Sequence, residues 1–367
     1  MRLLLQDNIG SHYRKAIFVL MEKELHCDFC FGDKWEDIKK VDYSALNGKV
    51  TELHNIFFPH GYYQKGMMKM MRANYDNYIL CGDLRCLSVW AALLYGRFNR
   101  KKKVYIWTHG WYGKESWLQK IFKKVFLRLP TGGVFLYGNY ARELMIKEGF
   151  DSQKLFVIHN SLDYDKQISI RNALKQSLVY DEHFGNNNPN LFFIGRLTPV
   201  KRLDMILHAM SLLKKRNVAC NMTFIGDGTE SESLKTLAHK LELEKNVWFY
   251  GACYDEQQLG ELIYNADLCV APGNIGLTAM HTLVFGTPAL THDDFPHQMP
   301  EFEAIRDGET GTFFKRDDLD SLANSIELWI KEKANKRDEV RKACMKEIDT
   351  SWTPQFQLNV FKEVLNV

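Results

Sequence analysis

Short apolar runs of strand length alternate with amphipathic stretches of helix length from one end of the chain to the other. "RLLLQ" leads through "SHYRKAIFVLMEKEL" to "CDFCFGD", and "YDNYILCG", "KKVYIWTHG", "GGVFLYGN" and "KLFVIHNS" follow with helical segments between them. When a helix intervenes before the next strand, the strands cannot build a meander of hairpins. They build parallel sheets with helices packed on the faces, so the expected class is α/β. After residue 190 a second series begins, "NLFFIG", "NMTFIGDG", "VWFYGA", "DLCVAPG" and "TPALTHD". Two Rossmann-like domains are therefore predicted, with six strands in the first and five in the second.

The length of 367 residues agrees, because it exceeds one ordinary core and suits two domains of roughly 150–200 residues. Between Asp163 and Asn190 the alternation gives way to a charged helix and then to "YDEHFGNNNPN", whose Gly, Asn and Pro have linker chemistry. The predicted division is residues 1–170, residues 171–349, and a closing helix over 350–367. That last stretch, "SWTPQFQLNVFKEVLNV", opens on Thr-Pro and has apolar residues at helical spacing.

A net charge of +3 gives no reason to expect nucleic acid as a partner. The eight cysteines do not make a metal or disulfide framework: "CDFC" (Cys27 to Cys30) lies in a strand-like run, and no second CxxC accompanies it. Free thiols are expected. The apolar start of the chain is too short for a signal peptide, and no run approaches the ~20 residues of a membrane span, so a cytoplasmic protein is expected.

Chemistry concentrates in the second series. In "FFIGRLTPVKRLD" a strand ends before Gly195, and Arg196 and Lys201 follow in the loop that precedes a helix. Ligands of open α/β sheets sit beyond the carboxyl ends of the strands, where a planar guanidinium and an ammonium suit the oxygens of a diphosphate. "FIGDGTESESLK" sets Gly226, Asp227 and Gly228 at the next such end. "PGNIGLTAMHTLVFGTP" supplies a further buried strand end, a Gly-rich turn and a short helix.

In this order the motifs resemble those of the retaining glycosyltransferases of family 4, which have the two-domain GT-B fold. The resemblance runs on through "EFEAIRDGETGTFF", with Glu303, Gly308 and Gly311 at typical positions, and reaches the first half in "IGSHYRKAIF", "IWTHGWYG" and "VIHNSLD". It implies GT-B architecture, two Rossmann-like domains facing a cleft, with a nucleotide sugar on the second domain and a glycan acceptor on the first. His109, Arg196 and Lys201 would be catalytic. Gly10, Gly195, Gly226, Asp227, Gly228, Asn274, Ile275, Gly276, Leu277, Thr278 and His281 would bind the donor, and His12, Arg14 and Asn160 are candidates for sugar or acceptor. Neither cofactor nor metal is expected, because cations and helix amides take up the pyrophosphate charge.

The sequence departs from the family at one point. Its members carry Glu, seven residues, then Glu; here those positions are Gly273 and His281. Histidine can still make one hydrogen bond to ribose, or it can simply pack. Asn274 is a partial substitute for the first carboxylate.

In "ESWLQKIFKKVFLRLP", residues Trp117, Leu118, Ile121, Phe122, Val125, Phe126 and Leu129 recur on one face, flanked by Lys120, Lys123, Lys124 and Arg128. With "RKKKV" this reads either as a basic membrane-surface helix over 116–129 or as an ordinary helix packed on its sheet. In the first case the protein sits at the inner face of the cytoplasmic membrane, and its acceptor is a polyprenyl-diphosphate-linked sugar of capsule, O-antigen or lipopolysaccharide assembly. A GT-B nucleotide-sugar epimerase and a non-catalytic glycan-binding partner are the alternatives.

Overall fold

The computed structural model describes residues 1–35, 38–99 and 101–367. They form two compact units, one of Met1–Tyr164 with Trp352–Val367 and one of Asp165–Ser351. Each is a Rossmann-like α/β unit, as expected of the GT-B class.

The first unit holds β1 (Leu3–Asp7), β2 (Cys27–Gly32), β3 (Val50–Phe58), β4 (Gly61–Lys65), β5 (Asn77–Cys81), β6 (Lys103–Thr108), β7 (Gly133–Leu136) and β8 (Leu155–Val157). They lie in the order β4-β3-β2-β1-β5-β6-β7-β8, parallel except where β3 meets β4. Helices cover both faces, so central strands are buried at nearly every residue rather than at every second one. Cys27 and Cys30 of "CDFC" lie buried in β2 as free thiols.

The β3–β4 hairpin is absent from the six strands predicted for this half. It is an edge element with many exposed residues, and "VTELHNIFF" and "GYYQK" lack the continuous apolar run that marks the inner strands.

The second unit holds β9 (Asn190–Ile194), β10 (Asn221–Ile225), β11 (Val247–Gly251), β12 (Leu268–Ala271), β13 (Ala289–His292) and β14 (Gly311–Phe314), in the order β11-β10-β9-β12-β13-β14. The sixth strand, β14, went unpredicted. It has four residues and approaches β13 so closely that a Cβ on Gly311 would overlap the carbonyl oxygen of Ala289.

The polar stretch read as a linker is instead partly packed structure. Residues Val179–Phe184 form a helix whose Tyr180 is buried, with its hydroxyl donating to the Leu262 carbonyl at 2.8 Å, and His183 stacks on Trp248. A single buried side chain on a six-residue helix leaves no periodicity to read, so Gly and Asn dominate the local signal.

The final helix, Pro354–Leu365, is capped by Thr353, whose hydroxyl accepts from the Phe356 amide. It belongs to the first unit. Leu358, Phe361 and Leu365 enter that unit's core, with the Phe361 ring 4.8 Å from Phe135 and 5.5 Å from Trp107. Among the described residues no helix is long and apolar enough to cross a membrane.

Candidate functional site

In the second unit β9 lies between β10 and β12, so the strand order reverses beside it. Successive crossovers leave in opposite directions at such a point, and a crevice opens at the carboxyl ends. Gly195 follows β9 at φ +145° and Gly226 follows β10 at φ +148°. Both angles favour glycine. A Cβ on Gly226 would overlap the Gly195 carbonyl, and one on Gly228 would overlap that of Leu197, so the two loops are stacked backbone on backbone. Asp227 is committed to this turn: its Oδ1 accepts from the Gly228 amide at 2.7 Å and from Ser231 Oγ at 2.6 Å, bonds that hold its carboxyl below the usual range.

The loop after β9 lies against the loop after β12. The Gly273 amide donates to the Lys201 carbonyl at 3.0 Å, and Lys201 Nζ donates to the Asn274 carbonyl at 2.7 Å and to its Oδ1 at 2.8 Å. A Cβ at Gly273 would overlap the Val200 carbonyl, so the loop has no room there for any side chain. Burial pushes Lys201 down to about 8, with Glu301 opposing that shift and the positive charge of Arg196 adding to it. Arg196 is exposed, and among the described residues its side chain makes no hydrogen bond or ion pair. A paired Lys and an unengaged Arg thus share one strand-end crevice.

The rest of the Gly-rich turn supports these two. The buried Ile275 offers its amide to Gln298 Oε1 at 3.0 Å, and Gly276 adopts φ +53°. Leu277 is partly buried, and Thr278 begins a seven-residue helix with its hydroxyl on the Ile194 carbonyl at 2.8 Å. His281 lies one turn further on, with Nδ1 3.4 Å from Nε2 of Gln167. Burial lowers its pKa, partly opposed by Glu256, so the ring is neutral at pH 7 and accepts from Gln167.

The first unit carries its own crevice at the equivalent place, where β1 lies between β2 and β5. A cavity of about 410 Å³ is lined by Asp7, Cys81, Trp107 and Tyr137 from strand ends, with Arg14, His109 and Lys123 around them. Arg14 Nη1 donates to Asp7 Oδ2 at 2.6 Å, Nη2 donates to the Tyr137 hydroxyl, and the guanidinium lies over Trp107. Burial holds the Asp7 carboxyl above its ordinary range in spite of Arg14. Lys123 pairs with Glu115 at 2.6 Å. Burial pushes His109 down to about 4, helped by the charges of Arg14 and Lys123, so its imidazole is neutral.

Three nitrogens at this cavity, His109 Nδ1, Trp107 Nε1 and Arg14 Nε, are buried without a hydrogen-bond partner among the described residues. Paired charges, aromatic rings and unclaimed nitrogens suit a hydroxyl-bearing ring.

Three sequence candidates stand outside this cavity. A Cβ on Gly10 would press on the Phe31 ring, and its carbonyl accepts from the Val41 amide, which gives it a packing role. His12 is exposed, with Nδ1 3.2 Å from the Lys39 carbonyl. Asn160 is buried, and its Oδ1 accepts from the Ser161 amide.

The helix Trp117–Arg128 begins on a capping box made by Ser116 and Gln119. It does not pack its whole apolar face on the sheet. Phe126 and Leu127 are buried, but Trp117 is 69% and Phe122 61% exposed, and Leu118, Ile121 and Val125 are exposed with them. Lys123 departs from the flanking position expected of it: its side chain is 12% exposed and turned onto Glu115 and the Tyr112 ring. Lys120 and Lys124 both pair with Glu148. Arg100 of "RKKKV" lies outside the described residues.

Sequence reasoning missed Asp7, Tyr137, Glu115, Gln298 and Glu301. Asp7 had a readable signal, being the first charged residue after the buried run "LLLQ". Glu115 accepts from the nearby Tyr112 and Gly113 amides before it meets Lys123, and the others act through tertiary placement. Among the described residues no group of three or more His, Cys, Asp or Glu side chains could hold a metal ion.

Comparison with known proteins bears on the second unit. Residues 180–347, which lie within that unit, match the model of Glycosyl transferases group 1. EpsD of Bacillus subtilis (strain 168), itself assigned as a glycosyltransferase only by inference, is 30% identical over 185 residues, covering 49% of this chain and 46% of EpsD. The chain spans a little under half the length of the curated relatives it matches.

Among solved structures, Anabaena Alr3699/HepE in complex with UDP is similar with a TM-score of 0.74 at 14% identity over 100% of both chains. The lipopolysaccharide outer core galactosyltransferase WaaB is similar at 0.70 and 14% identity, over 100% of this chain and 99% of WaaB. At such identities these likenesses establish the GT-B class of fold and no more.

Proposed function

We propose that the protein is a retaining glycosyltransferase that moves a sugar from a nucleoside diphosphate to a glycan acceptor. The observation that carries this reading is the presence of Arg196 and Lys201 together at the switch point of the second unit, whose residues 180–347 are similar to Glycosyl transferases group 1 and whose stacked glycine loops let a ligand approach backbone. As the sugar bond breaks, negative charge grows on the departing diphosphate. A guanidinium and an ammonium already in place bind that anion more tightly than the ground state and lower the barrier. Two cations can carry this charge without a resident metal.

UDP bound in the HepE structure favours uridine as the base to try first. The cavity of the first unit is the acceptor site in this reading. Neutral His109 offers a hydrogen bond to a sugar hydroxyl, and Asp7 with Arg14 orients the ring. His281 contacts ribose, and Asn274 stands where the family carries its first carboxylate.

The exposed stripe from Trp117 to Val125 favours an acceptor on a lipid. Five large apolar side chains in water are an unusual solvent face, and a Trp among them with lysines alongside fits the inner face of the cytoplasmic membrane. A polyprenyl-diphosphate-linked sugar of capsule or O-antigen assembly is the acceptor class this implies; the lipopolysaccharide galactosyltransferase WaaB has the same class of fold.

Incubation with a nucleotide sugar and a lipid-linked acceptor, read by proton NMR at the anomeric centre, tests the reading. Product with the donor's anomeric configuration supports it. Conversion of the donor to its epimer without acceptor would make the protein an epimerase, and binding without turnover would make it a glycan-binding partner.

A further inference from the structure

Among the described residues three cations line the cavity of the first unit, Arg14, Arg85 and Lys123, and each already has a carboxylate of its own. Arg14 Nη1 donates to Asp7 Oδ2 at 2.6 Å, the length of a charge-assisted bond, and Asp7 Oδ1 accepts from the Asn8 amide at 2.7 Å. Lys123 Nζ donates to Glu115 Oε1 at 2.6 Å, and Glu115 also accepts from the Tyr112 amide at 2.7 Å and the Gly113 amide at 2.8 Å. Arg85 donates through Nε and Nη2 to the two oxygens of Asp83, each at 3.2 Å. His109, kept neutral by burial, adds no charge.

Hydrogen-bond donors are in surplus instead. Trp107 Nε1 and Arg14 Nε can only donate, and both are buried with no partner among the described residues, as is His109 Nδ1. Trp107 is only 5% exposed, and a buried donor without an acceptor is costly. These nitrogens call for ligand oxygens, and the charges decide which kind. A carboxylate or phosphate entering the cavity gives up its water and meets Asp7 beside Arg14 and Glu115 beside Lys123, so repulsion by the resident carboxylates offsets the pull of the cations. A hydroxyl meets the same donors and gives up far less. The Trp107 and Tyr137 rings, which also line the cavity, offer flat apolar surface to the C–H face of a sugar.

We infer that this cavity selects a neutral sugar ring and turns away uronates and sugar phosphates, with Asp7 and Glu115 as the specificity-determining residues because their carboxylates cancel the cations an anion would seek. This rests on the cavity being the acceptor site, and it names the class of sugar at the acceptor's end. Such selectivity is a difference of two affinities, so it is measured as a ratio between matched ligands.

The test uses pairs that differ only at C6, methyl glucoside with methyl glucuronide and methyl galactoside with methyl galacturonide, at pH 7. Protein labelled with 15N at the indoles of its eight tryptophans is titrated with each, and the Trp107 signal, assigned by its loss in Trp107→Phe, reports occupancy of this cavity. The parent should bind a neutral glycoside about tenfold or more tightly than its uronide. Asp7→Asn, which leaves the Arg14 charge unopposed, should cut that ratio by about tenfold, and Glu115→Gln should do the same through Lys123.

A uronide held by the parent as tightly as its neutral partner would overturn the inference and keep the cavity as a sugar site. Ratios unchanged in the two variants would overturn it too, and if one variant does not fold the other decides. A Trp107 signal that no glycoside moves would remove the cavity as the acceptor site and the inference with it.

Discussion

Arg196 and Lys201 are neighbours in one loop, yet their side chains are in opposite circumstances. Arg196 is exposed and unengaged, so its replacement disturbs little else. Lys201 is buried and held by Asn274, so its removal leaves the Asn274 carbonyl and Oδ1 without their donor. Arg196→Ala should therefore keep the parent's thermal stability and lose roughly two to three orders of magnitude in turnover, as loss of an oxyanion-type donor does. Lys201→Ala should lose activity and stability together. Steady-state rates beside a melting curve decide this, and an Arg196→Ala rate within tenfold of the parent would remove the guanidinium from the chemistry.

At this scale the sequence was legible where chemistry and chain position coincide, as in Gly195, Arg196, Lys201 and Asn274. It was silent on Glu301 and Tyr137, which reach their sites only through packing. The absence of a side chain at 273 reads in sequence as a lost carboxylate. In the structure it also reflects a β12 loop lying backbone to backbone on Val200 and Lys201.

Two helices make separable predictions. The Trp117–Arg128 helix was legible in its heptad-like apolar spacing, but periodicity alone does not say whether such a face meets a sheet or solvent; here Trp117 to Val125 stay outside while Phe126 goes in. The protein should bind vesicles of anionic phospholipid, more weakly as salt rises. Trp117→Ser with Phe122→Ser should abolish co-sedimentation and leave the melting temperature unchanged. Retained binding in that variant would mean another surface docks. Lys123 is unsuitable for this test because its ion pair with Glu115 is part of the first unit's cavity.

The closing helix Pro354–Leu365 is clamped by Gln357, which donates to the His159 carbonyl at 2.8 Å and accepts from Ser161 Oγ at 2.6 Å. The His159 ring packs on Trp352, and burial pushes its pKa down to about 4 from an ordinary 6.5. Because the unfolded chain takes the proton first, this histidine leaves stability intact above pH 6.5. Stability is then lost as pH falls toward 4, by up to roughly 3 kcal/mol. His159 sits at φ +55°, which Asn tolerates. His159→Asn should therefore flatten the loss between pH 7 and pH 4.5 in urea titrations. An unchanged pH dependence would place the acid sensitivity elsewhere, with His109 and His292, also pushed down to about 4, as the next groups to replace.

For the whole molecule, the alternation of strand and helix announced two parallel α/β units. The sequence concealed the edge hairpin β3–β4 and the short strand β14, since neither needs a long apolar run. The two units also carry complementary chemistry: among the described residues, one cavity has its charges paired and three nitrogens without a partner, and one strand-end crevice has a guanidinium that makes no hydrogen bond or ion pair. The proposed function requires the second of these to hold a nucleoside diphosphate sugar.

Thermal melting of the parent and of Arg196→Ala against a panel of UDP-, GDP- and dTDP-sugars measures that directly. A ligand at a hundred times its dissociation constant stabilises by about 2.7 kcal/mol, so one base should stand out in the parent, and most of its effect should vanish in Arg196→Ala. No protection by any member of the panel, or protection that is equal in both proteins, would contradict the account.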